Sequence, residues 1–185
     1  MLCAHFFVVM NLFWLSRRMK RNARYHCNKH VVKMCTEAVQ LLYTAWWMLE
    51  PSGAWRPSAP LNRAGEHGYR MTHMNNPLAI WVRSSRTNYL LCVEYALTVS
   101  AEYTKRYKKT HASQAHAEWL RDNLPPSLPD TPMTPIPLII AQKPVPYART
   151  KKQAVAAYRK FYAETKRDFL VYPDGQRPSW IRDDE

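Results

Sequence analysis

A chain of 185 residues that is 46% hydrophobic and 12% aromatic is long enough to bury one core, and its composition excludes a disordered polymer. Its 4 glycines argue against turn-rich β folds and against glycine-loop nucleotide sites. A mainly helical domain of several packed helices joined by proline-marked loops is favoured. With 27 Lys+Arg against 14 Asp+Glu the formal net charge is +13, so the expected partner is a polyanion, nucleic acid first; a basic face without a ligand and an anionic membrane surface are the alternatives.

Residues 1–15, MLCAHFFVVMNLFWL, are apolar and run into Arg17, Arg18, Lys20 and Arg21. The run is too short for a membrane span, with no basic segment before it and no small-residue cleavage site after it. No signal peptide and no membrane partner are therefore expected, and the location is read as cytoplasmic. The run reads as an anchor-like segment or as a strand preceded by upstream residues; the second is preferred, with residues 1–9 as an N-terminal extension, Met10 as a start and a single domain over 10–185. From Ser16 to Lys33 there are seven basic residues, Lys29 and Arg24 among them, and no acid; Glu37 is the first carboxylate.

Val31, Cys35, Ala38, Leu42, Ala45 and Leu49 recur at alternating spacings of four and three, which predicts an amphipathic helix from about Asn22 to Leu49. Pro51, Gly53, Pro57 and Pro60 end it and open a loop reaching about Asn75. Asn76-Pro77 reads as an N-cap and first turn, starting a helix that runs to about Lys108. Its stripe is Trp81, Ser85, Asn88, Cys92, Ala96, Val99 and Tyr103. Inward polar groups such as Ser85 and Asn88 need partners, supplied either by a site at that end or by backbone. A short helix over His111 to Leu124 precedes eight prolines between Pro125 and Pro146, read as an extended strap over 125–146. Thr150 with Gln153 is a capping-box signature. The helix it opens places Val155, Tyr158, Tyr162, Thr165 and Phe169 on one face. It lies in a second basic stretch, Arg149 to Arg167, with seven basic residues and Glu164.

Cys3, Cys27, Cys35 and Cys92 show neither C-x-x-C spacing nor disulfide density and read as reduced, mostly buried thiols. On the first long helix His30, Lys33 and Glu37 border the apolar stripe within two turns. An acid, an imidazole and an amine on one half-buried edge fit an active site; an ordinary helix flank with a Lys33–Glu37 pair fits the spacing equally well. His26, Cys27 and His30 lack a matching second pair of ligands, so no metal and no cofactor are expected.

The segments Met10-Asn-Leu-Phe, Cys27-Asn-Lys-His-Val-Val-Lys-Met, Glu37-Ala-Val-Gln-Leu-Leu and Thr72-His-Met-Asn-Asn-Pro-Leu-Ala-Ile-Trp-Val-Arg resemble a family of phage and large-virus proteins. Members share a D-K-H-V-V-K-M core, from which Asn28 departs. More distantly the layout is similar to the pyrimidine-dimer DNA glycosylases of the endonuclease V type, which carry a His or Arg seven residues before a Glu on the first long helix. The resemblance implies an all-α fold, damaged or modified DNA as partner, and a glycosylase/AP-lyase reaction. In that reaction an amine attacks the sugar C1′ of a flipped nucleotide and the Glu stabilises the Schiff base. Carried over, Glu37 is the acid/base, His30 a substrate-site residue, and the amine is that of Met10 or Lys33. In endonuclease V the amine is exposed by removal of Met before a small Thr, and Met10-Asn11 departs from that. The expected DNA contacts are Arg17, Arg18, Arg21, Arg24 and Lys29 from the basic stretch and Asn88 from the helix stripe, with His73, Arg83, Tyr158, Arg159 and Tyr162 from segments that carry the resemblance. The rival reading is a viral nucleic-acid-binding protein without chemistry. Convergence of His30, Lys33, Glu37, His73 and Arg83 in one cleft discriminates the two.

Overall fold

The computed structural model describes residues 10–141 and 144–182. Six helices carry the fold: α1 (Met19–Arg24), α2 (Asn28–Leu49), α3 (Pro77–Arg83), α4 (Arg86–Tyr107), α5 (Gln114–Asp122) and α6 (Lys151–Thr165). Two-residue strands β1 (Ile136–Pro137) and β2 (Tyr147–Ala148) pair antiparallel, and short 3-10 turns cover Arg56–Ser58 and Arg167–Phe169. The helical reading of the chain therefore holds. α2 and α4 pack along each other at the centre, with α3 and α5 against both and α1 across α4. No helix among the described residues is long and apolar enough to cross a membrane.

The expected N-terminal strand is absent over 10–16; residues 1–9 lie outside the described residues. Met10, Leu12, Trp14 and Leu15 are nonetheless buried. This backbone is satisfied by side chains and not by a sheet: Asn11 N–H donates to Glu37, Leu12 N–H to the Asn11 side chain, and the Leu15 and Ser16 N–H groups to Asn22 Oδ1. An apolar run with such local acceptors can enter a core without a ladder.

Both long helices predicted from periodicity are broken. The first is α1 and α2, separated at Tyr25–Cys27. Arg106 makes the break permanent: it donates to the carbonyls of Arg24 (2.9 Å) and His26 (2.9 Å) and to Asn28 Oδ1 (3.1 Å), supplying the partners that α1's last turn lacks. Glu102 holds Arg106 in place at 2.7 Å, and both side chains are buried. The second is α3 and α4. Ser85 caps α4 through Thr87 N–H and donates to the Thr131 carbonyl at 2.7 Å, while Arg86 N–H reaches Pro129 O. Asn88 donates to Trp81 O and Thr134 Oγ1 and accepts Thr134 N–H. The two inward polars thus anchor the proline strap to the α3–α4 junction, their partners being backbone and strap groups.

Asn76 caps α3, and Thr150 with Gln153 forms the reciprocal capping box of α6. Helix α6 ends at Thr165, so Phe169 falls in the following turn and not on its face. The strap latches onto the N-terminal segment, since Asn11 Nδ2 donates to Ile139 O and Ile139 N–H to the Tyr158 hydroxyl. The loop after α2 lies on an aromatic cluster of Tyr43, Trp46, Trp55, Tyr69 and Trp119. Gly68 lets it approach: at φ +67 a Cβ there would sit 3.0 Å from the Tyr43 ring.

Candidate functional site

Lys33 and Glu37 occupy one side of a groove walled by α2, by the loop residues Arg63, Tyr69 and Arg70, and by His111 and Ser113 ahead of α5. Helix spacing of i, i+4 brings Lys33 Nζ to 2.9 Å from Glu37 Oε1. The pair is asymmetric: the lysine side chain is 51% exposed, the carboxylate side chain 6%. The second carboxylate oxygen accepts Asn11 N–H at 3.0 Å, which fixes its orientation. Burial, then the nearby Arg63 charge, lowers the His111 pKa from its ordinary value, so a neutral imidazole also faces the groove.

The other members expected beside this pair are not among the groove's lining residues. His30 is 6% exposed, stacked on Phe13 at 4.5 Å between ring centroids, with Nδ1 2.6 Å from the Tyr162 hydroxyl. Burial and the positive groups around it push its pKa down to about 2, so its ring is neutral in this packed position. Met10 is 2% exposed and its carbonyl accepts from Asn76 Nδ2, while the Lys33 amine lies beside Glu37. His73 is exposed on the loop before α3, held at φ 49 with its ring against the Thr72 hydroxyl. Arg83 donates to Met74 O at 2.8 Å. Neither lines the groove. Of the five residues, Lys33 and Glu37 line this groove, and His30, His73 and Arg83 are not among its lining residues.

Three expected DNA contacts are likewise interior. Asn88, Tyr158 and Tyr162 are each 0% exposed, their polar atoms committed to the strap, to Asn11 and to Cys27 N–H and His30 respectively. The α6 aromatics at i, i+4 form its core face, which is why they recur with helical period.

The basic residues do converge. Arg17, Arg18 and Arg21 from the bend before α1 and its first turns meet Lys152 and Arg159 of α6 around one concave pocket of ≈ 620 Å³, with no carboxylate among its described lining. The two basic stretches of the sequence, far apart along the chain, share this space. Arg159 is held most firmly: its Nε donates to Leu15 O at 2.8 Å, and its guanidinium carbon lies 5.5 Å from the Tyr25 ring centroid and 5.2 Å from that of Trp180. Arg21 also borders a second depression with Lys20, Arg24 and Lys105, where Glu102 is the one carboxylate in the described lining, so basic residues continue across α1 onto α4. Lys29 is exposed on α2, outside this pocket's lining.

Lys152 and Lys105, and Arg63 and Arg70 in the groove, were not singled out by sequence. Lys152 had a signal, since it stands seven residues before Arg159 and therefore on the same face of α6. The groove arginines had none, because a loop without period gives no face. Of the described residues no group of His, Cys, Asp or Glu gathers as a metal site. Cys27, Cys35 and Cys92 are buried free thiols; burial raises Cys35 to about 11 and Cys92 further. Comparison with protein-family models, with curated proteins and with solved structures finds no match.

Proposed function

We propose that this protein binds nucleic acid through the positive surface formed by α1, α6 and the adjoining part of α4. One observation carries the reading: five cationic side chains from two separate sequence stretches surround one pocket without a described carboxylate. Counterion release from a phosphate backbone is the physical source of affinity for such a surface. Binding of a labelled duplex across a salt series tests it. A log–log slope of several units is expected, each neutralised phosphate contributing ~0.9. A flat dependence removes the nucleic-acid reading.

A second reading, excision of a damaged base with AP-lyase chemistry, is favoured by a specific observation: an exposed primary amine 2.9 Å from a buried carboxylate in a groove. In this reading Lys33 passes a proton to Glu37, its free amine adds to the C1′ aldehyde of an abasic sugar, and the proton returns to the carbinolamine hydroxyl as water leaves, giving a Schiff base. Glu37, oriented by Asn11 N–H, stabilises the cationic nitrogen. Borohydride trapping on abasic-site DNA tests it: a covalent adduct lost in Lys33→Met supports lyase chemistry. Salt-dependent DNA binding with no adduct leaves a binding protein without chemistry.

A further inference from the structure

Within the longer positive surface, the pocket between α1 and α6 concentrates its cations around one point. A strand passing over a surface needs an open path in and out, with cations spread along it. Here Arg17, Arg18 and Arg21, at and before α1, and Lys152 and Arg159 of α6 line one concavity. Their summed charge far exceeds the single negative charge of one internal phosphodiester. A phosphomonoester carries about −1.5 to −2 at pH 7 and offers three unsubstituted oxygens.

Arg159 gives the pocket a fixed reading head. Its Nε is already spent on Leu15 O, and the rings of Tyr25 and Trp180 lie against the guanidinium. The planar fork therefore loses little rotamer freedom when its remaining N–H groups bind, and a planar fork matches two phosphate oxygens at once. Arg17, Arg18, Arg21 and Lys152 are exposed and adaptable, suited to approaching the other oxygens.

We infer that this pocket holds the phosphomonoester at the end of a nucleic-acid strand, with Arg159 as its pre-positioned ligand. The inference rests on the nucleic-acid reading above and names the part of the nucleic acid that the site takes. Free inorganic phosphate shares the chemistry, and the experiment separates the two sources.

Affinity of the full chain is measured for one duplex sequence with 5′-phosphate, 3′-phosphate or hydroxyl ends, and for the same sequence as a closed circle. A phosphorylated end is expected to tighten binding by about tenfold or more over hydroxyl ends and circle. Arg159→Lys, which keeps the charge but not the fork, is expected to shrink that ratio, and Lys152→Met likewise; circular dichroism confirms that each remains folded. Equal affinity for all four DNAs, with a steep salt slope, overturns the strand-end inference and leaves the nucleic-acid reading standing. No binding to any of them removes both. Inorganic phosphate binding by calorimetry, without any gain from phosphorylating the DNA, assigns the pocket to a free anion and overturns the strand-end inference.

Discussion

At the scale of single residues, burial separates side chains that the sequence presents as equals. Glu37 and Glu102 are both acids on long helices with a cation four residues away. Glu37 keeps an exposed lysine at a groove, whereas Glu102 clamps a buried arginine that holds the α1–α2 break. Glu37→Gln retains the Asn11 contact and the shape but removes the charge. If the amine is catalytic, trapping on abasic DNA is abolished while DNA binding persists; unchanged trapping would show that Glu37 is a helix-edge partner only. Glu102→Leu instead leaves Arg106 buried without its counter-charge and is expected to cost about 3–5 kcal/mol, measured by urea unfolding. A loss below ~1 kcal/mol would mean that the three carbonyl-directed bonds of Arg106 suffice alone. The i, i+4 spacing of each pair was legible in the sequence. Which of the two faces a groove was not, because that depends on what the 62–72 loop and the N-terminal segment cover.

At the scale of elements, the helices and their caps were readable and their interruptions were not. Asn76 and Thr150 cap from within a few residues, so local sequence specifies them. Tyr25–Cys27 and Ser84–Ser85 interrupt uninterrupted apolar periods. The carbonyl and N–H groups freed there are satisfied by Arg106 and by strap residues 129–131, distant in sequence. Helix α6 shows the same division. Its tyrosines and its cations both recur at helical spacing, yet the tyrosines turn inward and Lys152 with Arg159 line the pocket. Lys152→Ala is therefore expected to weaken duplex binding and lower the salt slope by about 1, while Lys160→Ala, outside the pocket lining, changes affinity little. Equal losses from both substitutions would mean diffuse charge and not the pocket governs affinity.

At the scale of the whole molecule, neutral histidines tie the fold to pH. His26 is fully buried, donating Nδ1–H to Asn22 O and receiving the Tyr95 hydroxyl on Nε2 at 2.7 Å. Burial drives its pKa down to about 4, and that of His30 to about 2, from 6.5. Between the unfolded and folded values the unfolded chain binds protons that the native state refuses. Stability is accordingly full above about pH 6.5 and lost as pH falls toward the folded values. The loss between pH 7 and pH 5 is expected to be about 2 kcal/mol for each ring, read from urea midpoints. Equal midpoints at the two pH values would mean that these rings accept protons without unfolding.

Composition and periodicity by themselves determined a helical chain, its proline strap, its caps and the two basic stretches, because each is a local property of residue type and spacing. Only the tertiary structure decided that those stretches meet in one pocket, and that Lys33 and Glu37 share a groove that His30, His73 and Arg83 do not line. The physical reason is that charge and helical phase are carried by neighbours along the chain. Concavity and desolvation are set by residues remote in sequence: Phe13 and Tyr162 over His30, Leu15 behind Arg159, and the 62–72 loop opposite Glu37.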